Sequence, residues 1–166
     1  CFTLMMATER NLIIGDHFAR SAAFTHYDPT ILMGYEVHST TLGIIGLGRI
    51  GYQVARRARA FDMEVLYHNR NTNPKAEADL GAQYVPLDEL LERADFVSLT
   101  TPLTDETRGL IGRRELGLMK QTAILINVAR GGIVDHDALL EALQSGQIAA
   151  AGLDVTEPEP LPRDHP

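Results

Sequence analysis

Cysteine is nearly absent. Cys1 is the sole thiol in 166 residues, which excludes an internal disulfide framework and a thiolate metal site and fits a reducing compartment, so the cytoplasm is the expected location. Positive charge is also scarce. Lys and Arg number 15 against 22 Asp and Glu, for a formal net charge of −7, and no Lys/Arg run exceeds a pair, which removes the usual electrostatic ground for binding a nucleic-acid backbone. No apolar stretch approaches the ~20 residues that a bilayer span needs. The opening CFTLMMATERN carries acid and polarity too early for a signal peptide, so a soluble protein with no membrane partner is expected. His17, His26, His38, His68 and His136 lack metal-ligand spacing such as H-E-x-x-H, and no metal is expected. Internal repeats and low-complexity tracts are missing as well.

What is present is a chain with 45% hydrophobic side chains, long enough for one well-buried domain and short for two. It starts on Cys and stops at LPRDHP with no closing helix or polar tail, and is read as a piece excised from a longer protein. Leu4, Met5, Thr8 and Leu12 recur at helical spacing with Glu9 and Arg10 on another face, which predicts one amphipathic helix over residues 2–19. Residues 21–40 read as a loop whose Phe24, Tyr27 and Tyr35 are candidates for burial. Short apolar runs then alternate with helical stretches. Leu42–Ile45, Glu64–Tyr67, Gln83–Val85, Phe96–Thr100, Ala123–Ile126 and Ile148–Val155 are the predicted strands. Several are apolar on both faces, as strands covered by helices on each side must be. A further helix follows the N-cap Asp135, with Leu139, Leu140 and Leu143 on one stripe and Gly146 ending it. The expected architecture is a doubly wound parallel α/β sheet, a Rossmann-type dinucleotide-binding domain. Its core spans 41–155, preceded by a helical segment (1–20) and a loop (21–40) and followed by residues 156–166.

Gly46-Leu47-Gly48-Arg49-Ile50-Gly51 directly follows the strand LGII and opens a helix through Val54, Ala55, Ala58 and Phe61. That is the context a dinucleotide fingerprint requires. Gly46 permits the tight turn, Gly48 close approach of a pyrophosphate, and Gly51 close packing of helix on strand. Roughly 20 residues on, at the end of the second strand, an acid would hold the ribose 2′-hydroxyl of NAD. Asn69 stands there instead. Arg70 follows it and supplies a guanidinium suited to a 2′-phosphate, so NADP(H) is expected in preference to NAD(H), which stays possible. Arg56, Arg57 and Arg59 form a basic face that solvation explains.

After the apolar strand AILIN, Val128-Ala129-Arg130-Gly131-Gly132 puts an arginine at the carboxyl edge of the sheet, where ligands of such sheets bind. A guanidinium there pairs with a carboxylate and polarises an adjacent carbonyl, as a 2-oxo acid requires. Glu157 and Glu159 do not make a paired-carboxylate hydrolase site, because Pro158 and Pro160 hold them on an extended loop.

TLGIIGLGRIG, LINVARGGIVD and AAAGLDVTEPEPLP, in this order and at these intervals, resemble the D-isomer-specific 2-hydroxyacid dehydrogenases over essentially the whole chain. The resemblance implies that residues 1–20 are an interdomain-type helix and that residues 156–166 begin the return to an absent substrate domain. The ending TEPEPLPRDHP is most similar to the glyoxylate/hydroxypyruvate reductase branch. The resemblance implies hydride transfer between NADP(H) or NAD(H) and a small 2-oxo or 2-hydroxy acid. It makes Arg130 the substrate-binding arginine and Glu159 the acid that pairs with a catalytic histidine. It places Asp154 near the nicotinamide, makes Pro102 and Val128 cofactor-lining, and assigns Gly48, Arg49 and Ile50 to the pyrophosphate and Asn69 with Arg70 to the 2′-phosphate region. The family's proton-donating histidine lies in a later Pro-His-x-Gly segment, and His165 is read as a loop residue. The family further implies a homodimer, with Phe2, Phe18, Phe24 and Tyr27 as surface aromatics. A cofactor-sensing corepressor on the same scaffold is the alternative function. Such a protein favours an acid at the second-strand end, which Asn69-Arg70 does not supply.

Overall fold

The computed structural model describes residues 1–165. Six strands, β1 (Thr41–Ile45), β2 (Glu64–His68), β3 (Gln83–Tyr84), β4 (Phe96–Leu99), β5 (Ile124–Asn127) and β6 (Ala150–Leu153), form one sheet in the order β3-β2-β1-β4-β5-β6. Every pairing is parallel. This is the doubly wound arrangement expected from the alternation of strands and helices, with the strand order reversing between β1 and β4.

Side-chain alternation along the strands shows why both faces had to be apolar. On β5, Ile124 and Ile126 face one core with Met5, Leu42, Ile44 and Tyr67, while Leu125 faces the other with Leu90, Val97, Leu116 and Leu139. Helices α3 (Arg49–Ala58) and α4 (Pro74–Leu80) cover the first face, where Val54, Ala55, Ala58 and Ala76 are buried. Helices α5 (Leu87–Arg93), α6 (Arg113–Leu118) and α7 (His136–Ser145) cover the second through Leu90, Leu91, Leu116, Ala138, Leu139 and Ala142. Asp135 caps α7 by accepting from the Ala138 N–H at 3.1 Å, and Gly146 ends it in the left-handed region, as expected. The stripe differs from expectation: Ala138 and Ala142 join Leu139 in the core, while Leu140 is half-buried and Leu143 exposed.

The opening segment corrects the sequence reading. It forms two helices, α1 (Phe2–Glu9) and α2 (Leu12–Ala19), with Asn11 in the left-handed region at φ 49° between them. The break turns Leu12 away from the stripe that Leu4 and Met5 begin, and Leu12, Ile13 and Ile14 are exposed. Glu9 is buried at 4% exposure instead of lying on a solvated face. It packs beneath the loop at Gly34, where any β-carbon would collide with the Glu9 carbonyl. Phe24, Tyr27 and Tyr35 are exposed rather than burying anything. Phe2 stacks on Phe61 with ring centroids 5.2 Å apart and faces the core, so it is no part of an aromatic surface.

Strand ends moved by one or two residues. β6 is half the predicted length because it lies at the edge and pairs only with the four residues of β5. β5 begins at Ile124 rather than Ala123 and extends to Asn127, where the chain turns toward Arg130.

Candidate active site

The carboxyl ends of β1, β2, β4 and β5 open onto two cavities that share Thr100, Thr101 and Pro102. The larger, about 680 Å³, is lined by Gly46, Gly48, Asn69, Arg70 and Lys75 among others. The smaller, about 590 Å³, is lined by Ile50, Pro102, Val128 and Arg130. Together they make a cleft across the point where the strand order reverses, the place where open α/β sheets bind ligands.

Local backbone chemistry builds the first part. Gly46 sits at φ 101°, and a β-carbon there would lie 2.5 Å from the Thr101 nitrogen. Only glycine fits both demands. At Gly51 a β-carbon would come within 2.6 Å of the Gly46 carbonyl, so α3 packs directly against the turn. Gly48 is the N-cap of α3 and its missing β-carbon faces open space in the cavity wall, leaving the first-turn N–H groups accessible to an anion. Arg49 and Ile50 are exposed on that first turn. These features fit the pyrophosphate of a dinucleotide.

The loop is tied down by Thr100 and Asn73, which the motifs did not single out, and by Asn69, which they did. Thr100 donates its hydroxyl to the Gly46 carbonyl at 2.8 Å, and Asn73 donates to the Leu47 carbonyl at 3.0 Å while capping α4. Asn69 turns inward: its Oδ1 accepts from the Leu47 N–H at 2.6 Å. Asn69 therefore holds the glycine turn, and Arg70 is the exposed cation beside it.

A second organiser is Asn127, fully buried at the end of β5. It donates to the Arg130 carbonyl at 2.9 Å and accepts from the Ala129 N–H at 3.0 Å, which folds the turn that carries Arg130 to the edge. A polar residue closing the apolar run ILIN was the available sequence signal. The Arg130 guanidinium donates to the Ala129 carbonyl at 2.6 Å. Gly131 and Gly132 seat the loop after β6: a β-carbon on the first would collide with the Thr156 carbonyl, and on the second with the Glu157 carboxylate. Arg108 donates to Glu157 at 3.0 Å, so Glu157 is a structural ion-pair partner. Asp154 is tied by its N–H to the Asn127 carbonyl at 2.9 Å. Asp154 and Glu159 are exposed and line neither of the two cavities.

Among the described residues, no group of three or more His, Cys, Asp or Glu could hold a metal ion, and no helix is long and apolar enough to cross a membrane. His165 lies in the terminal loop, where its N–H donates to the Pro162 carbonyl at 3.2 Å.

A glycine turn at a helix start, on a parallel sheet whose order reverses beside it, defines a Rossmann-type dinucleotide-binding domain. Comparison with known proteins narrows this. The family described as "D-isomer specific 2-hydroxyacid dehydrogenase, NAD binding domain" matches residues 2–166, and the chain belongs to it. It is 52% identical over 163 residues to a glyoxylate reductase of Thermococcus gammatolerans, covering 96% of this chain and 49% of that protein. The TT0316 protein of Thermus thermophilus superposes with a TM-score of 0.92 at 47% identity, covering 99% of this chain and 51% of that one. A glyoxylate reductase from Paecilomyes thermophila superposes at 0.87 with 43% identity, covering 98% and 48%. The chain thus spans about half the length of the relatives it matches.

Proposed function

We propose that this chain is the cofactor domain of a reductase that converts glyoxylate, hydroxypyruvate or a similar small 2-oxo acid to its D-2-hydroxy acid. The observation that carries the reading is the placement of Arg130. A buried asparagine fixes its turn at the edge of a cleft that runs on to the pyrophosphate loop. When bound, the reduced nicotinamide supplies the hydride that adds to the carbonyl carbon. Arg130 pairs with the substrate carboxylate and polarises the carbonyl oxygen that gains negative charge. Glu159 stabilises the protonated form of the family's histidine, which returns a proton to that oxygen. Ile50, Pro102 and Val128 supply an apolar wall for the nicotinamide side, and Asp154, which follows β6, is assigned to the nicotinamide by the family resemblance alone. Turnover of glyoxylate by the full-length protein tests the reading. No turnover of glyoxylate or hydroxypyruvate with either cofactor would overturn it.

NADP(H) is the preferred cofactor in this proposal and NAD(H) the weaker one, supported by Arg70 on the cavity wall and by an amide at position 69 in place of an acid. Titration of the chain with NADPH and NADH is expected to show tighter NADPH binding. Arg70→Ala should weaken NADPH by roughly tenfold or more, the value of one charge-assisted hydrogen bond, with NADH little changed. Equal affinities in the parent chain would sink the preference. A second copy of the chain is the proposed macromolecular partner, supported by exposed Ile13, Ile14, Phe24, Tyr27 and Met33 on α2 and the loop after it.

A further inference from the structure

The larger cavity has one carboxylate in its lining, Glu106, on the loop between β4 and α6. Two cations line it as well, Arg70 and Lys75. Lys75 is paired with Asp79 at 3.0 Å, and Asp79 is outside the lining. Arg70 is therefore the cation at which two anions would meet, the carboxylate of the wall and a 2′-phosphate of the ligand. Glu106 is held in place. Thr104 donates its hydroxyl to the Glu106 Oε2 at 2.6 Å, and the Thr107 hydroxyl closes the same turn by donating to the Pro102 carbonyl at 2.7 Å.

We propose that Glu106 is a specificity-determining residue for the dinucleotide: its carboxylate competes with the 2′-phosphate for Arg70 and so narrows the preference for NADPH over NADH. The inference rests on the reading of Arg70 as the 2′-phosphate ligand. Glu106 stays ionised through neutral pH, because the Thr104 hydroxyl and then its own backbone N–H hold its carboxyl below the usual range, with a further contribution from Arg70. An NADH molecule brings no charge to this corner and leaves the Arg70–Glu106 attraction intact. An NADPH molecule places a second anion in the same cavity, where it is repelled by Glu106 and must share the field of Arg70 with it.

The test is a titration of four forms of the chain, the parent, Glu106→Gln, Arg70→Ala and the double variant, with NADPH and NADH at low salt. Glutamine keeps an oxygen for the Thr104 hydroxyl and removes the charge. Glu106→Gln is expected to tighten NADPH about three- to fivefold, the scale of an exposed charge pair, with NADH within about twofold. The gain should shrink at high salt, and in the Arg70→Ala background it should fall below twofold. Because the readout is the ratio of the two affinities, a partly unfolded variant that weakens both does not mimic the shift. An unchanged ratio in Glu106→Gln, alongside an NADPH loss in Arg70→Ala, overturns this inference and leaves the cofactor reading standing. An Arg70→Ala chain that binds both cofactors as the parent does overturns the Arg70 reading itself. An equal NADPH gain with and without Arg70 overturns the competition.

Discussion

Single residues in this domain are placed by what they can hydrogen-bond. Burial of Asn127 is offset because its amide donates to a carbonyl and accepts from an N–H of the following turn. Glu9 is the opposite case, for its Oε1 is buried without a hydrogen-bond partner. Desolvation raises its pKa, nearby Arg10 works against the rise, and Glu36 adds to it. A carboxyl whose folded pKa lies above its unfolded one contributes stability that is fully present below the unfolded value and is lost as pH rises through the folded value. Glu9→Gln should therefore flatten the stability profile just above the ordinary glutamate range. It should also raise the neutral-pH Tm, by about 2–4 °C for each kcal/mol recovered. Thermal melts from pH 4 to pH 8 decide this, and a variant with an unchanged profile would refute it. At Arg130 the prediction concerns rate. In the full-length protein Arg130→Lys should cost roughly 2–4 kcal/mol of transition-state stabilisation, because an ammonium does not reproduce the two-pronged hold of a guanidinium. Cofactor affinity should barely change. Under the proposed pairing of Glu159 with the family's histidine, Glu159→Gln removes the charge that would favour the protonated imidazole and should move the high-pH limb of the reduction rate to lower pH.

Elements matter here mostly at their ends. The N-cap of α4, Asn73, bonds the Ala76 N–H at 3.1 Å and also reaches the Leu47 carbonyl in the glycine turn. Asn73→Ala is expected to cost about 1 kcal/mol of stability for the lost cap. Having loosened the turn, it should weaken NADPH and NADH by the same factor; a change in their ratio would contradict this assignment. The same logic explains which elements were legible. Strands with apolar residues on both faces announced a parallel sheet, and Asp135 with Gly146 bracketed α7 to within a residue. The break between α1 and α2 was not legible, because the apolar spacing continues through Asn11 and only a left-handed residue at that point ends the helix. Strand ends were blurred for a related reason, since pairing with a neighbour of four residues, not propensity, stops β6.

At the scale of the whole molecule, the exposed apolar side chains gather on α2 and the loop to Tyr35, with Tyr27 82% exposed. Light scattering is expected to give twice the 18.3 kDa of the chain, and Ile13→Glu should return it to the single-chain mass. A single-chain mass at high concentration in the parent would overturn the proposed pairing. The 166-residue chain is also expected to bind cofactor without reducing glyoxylate, since Arg130 and Glu159 are present while the family's histidine segment is not among these residues. Turnover abolished by His165→Ala would show that His165 had been misread.

The sequence by itself determined the parallel sheet, the glycine turn and the family, because each depends on local features: apolar residues on both strand faces, glycine where a side chain collides, and three motifs in fixed order. It also offered Arg130 and Arg70 as candidate site residues. Only the tertiary structure decided that Asn69 faces the glycine turn, that Asn127 builds the Arg130 loop, and that Glu106 shares a cavity with Arg70. Those facts depend on which loops meet at the carboxyl edge of the sheet. Residues far apart in the chain come together there because strand order, not chain order, sets who is a neighbour.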